Sequence, residues 1–117
     1  STTSSAPAAQ PLPPVAAKPL AVDLGNDWGK LLAWRIRSPF GHDSIYVCLD
    51  GRPSGEARAE LLLEGDDAPP RKVTRYPYEF SVYPLPTDQN IAFRLRFTDS
   101  TGAVTTSDRF ELAGATR

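Results

Sequence analysis

The chain has 117 residues and a formal net charge of -1, from 13 basic and 14 acidic side chains. This length predicts one domain with one core. The balanced charge, with no run of either sign, argues against an electrostatic affinity for nucleic acid. No stretch of about 18 apolar residues is present, so we also expect no membrane insertion.

Residues 1–22 differ from the rest because they are rich in proline and alanine, contain no aromatic residue and carry one charge, Lys18. Such a segment cannot build a core, and its prolines favour an extended, polyproline-like arm. We therefore predict an arm at 1–22, a β domain at 23–114 and a short tail at 115–117. The arm residues expected to contact a partner subunit are Pro11, Leu12, Pro13, Pro14, Val15 and Leu20.

From residue 23 onward, short apolar alternations are separated by turn residues, which is typical of an antiparallel sandwich. Residues 57–64 are also compatible with one or two turns of helix, but the neighbouring segments favour β structure. The expected fold class is all-β, an antiparallel sandwich of about seven strands. These strands are predicted at 30–37, 44–50, 56–64, 72–76, 78–83, 90–98 and 103–112.

The first predicted strand, residues 30–37, has one apolar and one polar face. Leu32, Trp34 and Ile36 share one face, whereas Ala33 shares the other face with two arginines. Successive side chains of a strand point to opposite faces of the sheet. We assign the larger apolar set to the core and the arginines to solvent.

The later strands alternate more clearly, and residues 99–102 have the composition of a tight hairpin turn in which Gly102 supplies a positive φ. The last strand is expected to run without interruption from 103 to 112. The predicted inward sets are Ile45, Val47 and Leu49, then Tyr78, Phe80 and Val82, and finally Ile91, Phe93, Leu95 and Phe97.

Short strands at about ten-residue spacing resemble the immunoglobulin or fibronectin type III sandwich. The paired cysteines of antibody domains are absent, so the resemblance implies only the superfold. Within it, the stretch from Phe93 to Phe110, together with Trp34 and residues 46–51, resembles fungal cell-wall modules of the Kre9/Knh1 type. That resemblance implies a secreted, cell-wall-associated role.

Residues suited to catalysis are sparse. His42 is the single histidine, and no nucleophile motif accompanies it, so we interpret it as an exposed loop residue. Cys48 is the single cysteine and is interpreted as a small buried hydrophobic residue. Scattered aspartates form no calcium-loop pattern, and single glycines form no phosphate loop. We therefore predict no enzymatic activity, no cofactor and no metal site.

Four arginines, in contrast, form a candidate anion-binding patch, since Arg35, Arg37, Arg94 and Arg96 are all expected to face solvent. Neighbouring guanidinium groups could bind carboxylate or phosphate through paired hydrogen bonds. The alternative, which we favour, is cross-strand pairing with acidic residues of the domain itself. Those acids would be Glu60, Glu79 or Glu111.

Aromatic residues at strand ends provide a second candidate surface. Tyr76, Tyr83 and Trp28 lie near prolines or turns, where flat rings can stack on sugars or anchor a protein interface. For Trp28 and for Tyr78 the alternative is to cap the end of the core, which we favour slightly.

Two functional hypotheses follow. The first is a non-catalytic structural β-sandwich that docks on other protein subunits of a larger assembly through its arm, for example as a virion decoration or attachment protein. The second is a secreted carbohydrate-binding or cell-wall module, in which the Ser/Thr/Pro segment is a linker and polysaccharide is the partner. A virion or the cell surface is the location that these hypotheses favour.

Overall fold

The computed structural model describes residues 19–65, 67 and 69–114. The all-β prediction is confirmed, because every regular element in these residues is a strand. None of the described segments forms a helix long and apolar enough to cross a membrane. The strands are β1 (Leu20–Asp23), β2 (Lys30–Arg37), β3 (Asp43–Leu49), β4 (Arg58–Leu63), β5 (Arg71–Val73), β6 (Tyr78–Leu85), β7 (Ile91–Thr98), β8 (Val104–Thr106) and β9 (Phe110–Leu112).

These strands form two antiparallel sheets. The four-stranded sheet has the order β1-β2-β3-β6. The five-stranded sheet has the order β9-β7-β4-β5, with β8 also paired to β7. Both β8 and β9 pair with β7, one with each half of the strand, while β4 pairs with its residues 93–98.

The core fills the space between the two sheets. The inward sets predicted for β3, β6 and β7 are confirmed, because every member is buried. Burying one large apolar side chain stabilises a fold by roughly 1.5–3 kcal/mol, so this layer is the main source of stability. It also includes Leu31, Ala33, Ala59 and Leu61 of β2 and β4.

The predicted orientation of β2 is wrong. Leu31 and Ala33 are fully buried, whereas Trp34 is only half-buried and Ile36 is 40% exposed. Ala33 pairs with the inward-facing Val47 of β3, so the residues facing the core are the odd-numbered ones. The larger apolar set of this strand therefore lies on the outside of the sandwich.

The domain begins earlier than predicted. Residues 20–22, assigned to the arm, belong to β1, which pairs with β2 and places Leu20 and Val22 against the core. Leu20 is thus a structural residue of the sheet. The other arm candidates, Pro11, Leu12, Pro13, Pro14 and Val15, lie outside the described residues, as does the tail at 115–117.

The hairpin after β7 forms as predicted, with Gly102 at φ +88°. The carboxylate of Asp99 accepts hydrogen bonds from the hydroxyl and the amide of Thr101 and from the amide of Ala103, and these donors lower the pKa of Asp99. The expected single last strand is instead divided into β8 and β9. Between them, the Ser107 hydroxyl accepts a hydrogen bond from the Leu95 amide at 2.9 Å, so a side chain replaces a backbone partner.

Candidate docking surface

The outer side of the four-stranded sheet carries an unusually apolar set of side chains, which we call the aromatic face. Because β2 turns its odd-numbered residues inward, its even-numbered residues lie here beside outward residues of the neighbouring strands. Its charged members are Glu79 and, at one end of the sheet, the cross-strand neighbours Asp23 and Lys30. The aromatic face comprises Ala21, Asp23, Lys30, Leu32, Trp34, Ile36, Ser44, Tyr46, Cys48, Glu79, Ser81 and Tyr83.

Two rings occupy the centre of the aromatic face. Trp34 and Tyr46 are cross-strand partners, and their ring centroids lie 5.6 Å apart with planes tilted by 39°. The Tyr46 hydroxyl donates a hydrogen bond to Glu79, which together with burial raises the pKa of Tyr46 to about 12. A hydroxyl held by a carboxylate in this way favours one orientation of the Tyr46 ring.

Tyr83 extends the aromatic face toward one end of the sheet. It is 53% exposed, and the His42 ring meets it edge-on at 6.2 Å. His42 itself is exposed, as expected for a loop residue.

Tyr76, the other tyrosine predicted to bind, lies away from this surface. It precedes β6, whereas Tyr83 is near the end of that strand, so most of the length of β6 separates them. The ring of Tyr76 is 48% exposed, but the Arg52 guanidinium lies 3.9 Å from its centroid. The two tyrosines therefore do not form one sugar platform.

Trp28 is a core residue. It is 5% exposed, stacks on Phe97 at 4.8 Å and meets Tyr78 edge-on at 4.8 Å. It forms the floor of a cleft of about 240 Å³ whose rim includes Asn26, Asp27 and Asp99. With its ring packed in this way, Trp28 caps the sandwich and does not belong to the exposed aromatic surface.

Arg35 is buried, so the expectation that it faces solvent is wrong. Its Nε donates to Asp43 Oδ2 at 2.7 Å, and its other nitrogens donate to the carbonyls of Leu112 and Pro86 at 3.1 and 2.6 Å. Both members of the ion pair are less than one-tenth exposed. The guanidinium thus links β2 to β3, to the end of β9 and to the loop after β6.

Asp43 is the sequence signal that could have oriented β2. In β3, residues 43, 45, 47 and 49 form one alternating set, and Asp43 is the single acid among three apolar residues. A carboxylate facing the core needs a cation beside it. Arg35, in the neighbouring strand β2, is the cation that can reach Asp43. An inward Arg35 places the next residue in the alternation, Trp34, on the outer face.

The proposed four-arginine patch does not form. Arg35 is buried, Arg37 belongs to the four-stranded sheet, and Arg94 and Arg96 belong to the five-stranded sheet. Cross-strand pairing is confirmed for Arg96, which holds Glu60 through two hydrogen bonds of 2.9 and 3.1 Å. This contact lowers the pKa of Glu60.

The other two acids considered as arginine partners behave differently. Glu111 lies 3.7 Å from Arg109, which also holds Glu64 through two hydrogen bonds of 2.9 Å. Glu79 binds the Tyr46 hydroxyl. On the outer side of the five-stranded sheet, which we call the charged face, Glu60 lies between Lys72 and Arg96 in register. The charged face includes Arg58, Glu60, Lys72, Arg94, Arg96 and Glu111.

Cys48 lies on the aromatic face rather than in the core, which corrects its predicted position. The side chain is half-buried, and burial, followed by the nearby charge of Glu79, raises the pKa of the thiol. A raised pKa keeps the thiol protonated and less nucleophilic at neutral pH. We therefore treat Cys48 as part of the apolar surface.

In the part of the chain that the structure describes, no group of three or more His, Cys, Asp or Glu side chains could hold a metal ion. Among the described surfaces, the aromatic face has the most distinctive composition. Trp34 and Tyr46, its central residues, are the ones that the sequence interpretation missed. Neither a scan against protein-family models nor searches of curated proteins and of solved structures found a match to this chain.

Proposed function

We propose that this protein is a non-catalytic docking module that binds another protein subunit of a larger assembly through its aromatic face. A virion is one example of such an assembly. The observation that carries the proposal is the position of Trp34 and Tyr46, which lie side by side on the outside of a sheet and leave part of their rings exposed.

The chemistry of these residues suits a protein interface. Tryptophan and tyrosine, together with arginine, are enriched at interface hot spots, whereas charged residues as a class are depleted at the interface centre. The hydrogen bond between Tyr46 and Glu79 orients one ring in advance, which reduces the entropy lost on binding. Two further cross-strand pairs, Leu32–Cys48 and Ile36–Ser44, lie on either side of the central pair. Their side chains extend the apolar contact area.

The charged face argues for the same choice of surface. Arg96 and Glu60 hold each other there through two hydrogen bonds, so a partner that covered this pair would have to displace or desolvate an ion pair. A partner at the aromatic face displaces water from apolar rings instead, which is favourable.

The test begins with a photo-crosslinking residue at position 81, which is exposed and is the cross-strand neighbour of Tyr46. The matched control carries the same residue at the exposed Arg94 on the charged face. In extracts of the source organism, we expect one defined protein to be crosslinked from position 81 and not from 94. Equal crosslinking from both faces would contradict the proposal.

The crosslinked protein is then purified and titrated with the domain. We expect Trp34→Ser to weaken its binding by about tenfold or more, since removing a hot-spot residue costs about 2 kcal/mol. Arg94→Ser is the control and should leave the affinity unchanged. Unchanged affinity of Trp34→Ser would overturn the assignment of this surface.

Carbohydrate binding is the second candidate, because Tyr83 adds a half-exposed ring to the same surface as Trp34 and Tyr46. Aromatic rings stack on the apolar faces of sugars as readily as they pack on proteins. Co-sedimentation with insoluble cellulose, chitin and β-glucan tests this alternative. Retention that is lost in Trp34→Ser and Tyr83→Ala, but kept in Tyr76→Ala, would favour a cell-wall role.

A further inference from the structure

Strand β6 forms an open edge of the four-stranded sheet. Within the described residues, β6 pairs only with β3, and no backbone contact outside that ladder involves residues 78–85. With eight residues it is the longest edge strand described, since β1, at the opposite edge, has four residues and β5, β8 and β9 have three each. A long open edge presents backbone groups that can pair with another strand.

The direction of each backbone group in β3 follows from one contact at the end of that strand. The Asp50 amide donates a hydrogen bond to the carbonyl of Lys30, its cross-strand neighbour, at 3.1 Å. In an antiparallel ladder, opposed residues alternate between pairs that exchange hydrogen bonds and pairs that do not. The even-numbered residues of β3 therefore direct their amides and carbonyls toward β2, and its odd-numbered residues direct theirs toward β6.

The same alternation continues into β6. Val47, an odd-numbered residue of β3, is opposed to Phe80, so the even-numbered residues of β6 exchange hydrogen bonds with β3. The amides and carbonyls of Glu79 and Ser81, on either side of Phe80, therefore point away from the sheet. Both residues are exposed. This edge thus presents two donors and two acceptors to another strand.

Two prolines and one acid define what can pair with this edge. Pro77 precedes β6 and Pro84 lies near its end, and neither has an amide to donate, so the stretch suited to pairing is 78–83. Glu79 belongs to the aromatic face, so the residue opposite it in an added strand projects onto the same face. Directly opposed residues of opposite charge stabilise a sheet. The chemistry that fits is an extended segment with a lysine or arginine opposite Glu79.

From these observations, and resting on the proposed function, we infer that the partner subunit contributes an extended segment that pairs with β6 as a fifth strand of the sheet. Alternate side chains of this segment lie over the aromatic face beside Ser81 and Tyr83, with a cation opposite Glu79. In this mode of binding, backbone hydrogen bonds supply the affinity and the alternate side chains supply the specificity.

Hydrogen exchange followed by NMR tests the inference at single amides. In the isolated chain, we expect the Glu79 and Ser81 amides to exchange much faster than those of Phe80 and Val82, which are bonded to β3. On addition of the purified protein that is crosslinked from position 81, we expect exchange at both edge amides to slow by about tenfold or more.

Two results of this experiment would overturn the inference. Slow exchange of the edge amides in the isolated chain would show that the chain itself, or a second copy of it, already covers the edge. Unchanged exchange in the complex would show that the partner does not pair with β6. The absence of any crosslinked protein would overturn the proposed function and this inference together.

Ser81→Pro removes one outward amide, and proline is tolerated in an edge strand where the amide points outward. The matched control is Ala21→Pro in β1, because Leu20 and Val22 oppose odd-numbered residues of β2 and the Ala21 amide points outward from the opposite edge. We expect Ser81→Pro to weaken binding of the crosslinked protein by about tenfold or more and Ala21→Pro to leave it unchanged. Equal weakening by both variants would overturn the inference. Urea unfolding verifies that each variant folds, and if Ser81→Pro does not, the amide exchange of the unmodified chain decides.

The cation opposite Glu79 has its own test. Glu79→Gln removes the charge and keeps the shape of the side chain, so we expect it to weaken binding several-fold, whereas Glu60→Gln on the charged face should have no effect. Unchanged affinity of Glu79→Gln would contradict the cation.

The pairing at β6 and the proposed function fail in different ways. If Trp34→Ser weakens binding but Ser81→Pro does not, the added strand is wrong and the proposed function stands. If Ser81→Pro weakens binding but Trp34→Ser does not, the proposed docking through the aromatic face is wrong, whereas pairing at the edge is supported.

Discussion

The two outer faces of the sandwich have opposite chemistry. On the charged face, Glu60 lies between Lys72 and Arg96 in register, so these three charges have neighbours of opposite sign within the domain. On the aromatic face, Trp34 and Tyr46 contact each other and leave part of their rings exposed. A surface whose groups satisfy one another needs no partner, whereas exposed rings gain free energy when a partner covers them.

The difference between the two faces depends on the orientation of β2, and Arg35→Ala tests that orientation. This variant has the largest expected effect on stability. Removing one partner of a buried ion pair leaves the other charge uncompensated, so we expect the free energy of unfolding to fall by about 3–5 kcal/mol. Urea denaturation measures the loss. The control is Arg37→Ala, which alters an exposed arginine of the same strand and should change stability by about 0.5 kcal/mol or less.

A double replacement sharpens this test. Arg35→Met with Asp43→Leu removes both charges and keeps apolar volume, so we expect it to recover most of the stability lost in Arg35→Ala. A mild effect of Arg35→Ala combined with a severe effect of Trp34→Ala would show that β2 has the opposite orientation.

The two tryptophans offer a second test, because one is in the core and the other is on the aromatic face. We expect Trp28→Ala to cost about 3–5 kcal/mol, since it removes a large buried ring. Trp34→Ala should cost about 1 kcal/mol or less, the contribution of one cross-strand pair. Thermal and urea unfolding of both variants measure the difference, and equal losses would contradict the surface position of Trp34.

The ion pairs of the charged face should contribute less to the free energy of unfolding than the buried Arg35–Asp43 pair does. Glu60→Gln removes the partner of Arg96, and we expect a loss of about 0.5 kcal/mol that shrinks at high salt. Arg94→Gln, in which the replaced arginine is exposed, is the control. A loss as large as that of Arg35→Ala would remove the distinction between a surface pair and the buried pair.

Acidification provides a further test of Glu60. Its pKa is lowered by the hydrogen bond from Arg96, so the folded state holds the carboxyl deprotonated more strongly than the unfolded state does. This contribution is present above the ordinary carboxyl pKa and is lost as the pH falls through the lowered value. Between those values, the stability of the wild type should decrease more steeply than that of Glu60→Gln.

The smallest effect on stability is expected at Tyr46, on the aromatic face. Its pKa is raised to about 12 chiefly by the hydrogen bond to Glu79, so the stability it contributes is present below the ordinary value of 10.0 and is lost as the pH rises toward 12. Ultraviolet titration of the wild type against Tyr46→Phe isolates this group. We expect Glu79→Gln to shift the titration toward 10, and an unshifted titration would contradict the contact.

The alternation of side chains predicts most of the core correctly but places Trp34 on the wrong face of β2. Alternation correctly identified most strands and the inward residues of β3, β6 and β7, because their two faces differ strongly in polarity. In β2, each face holds apolar residues and the odd-numbered face also holds Arg35, so polarity alone favoured the wrong side. The candidate aromatic residues were accordingly chosen at strand ends, whereas the central pair of the aromatic face lies in mid-strand.

The sequence by itself determined the all-β class, most strand positions and the hairpin at Gly102, since these depend on local periodicity and turn chemistry. Only the tertiary structure decided that Arg35 is buried and Trp34 exposed. That choice depends on Asp43 in the next strand and on the carbonyls of Pro86 and Leu112, which lie 51 and 77 residues away along the chain. Partners this distant leave no periodic signal in the sequence, and it is their meeting in space that makes a buried guanidinium stable.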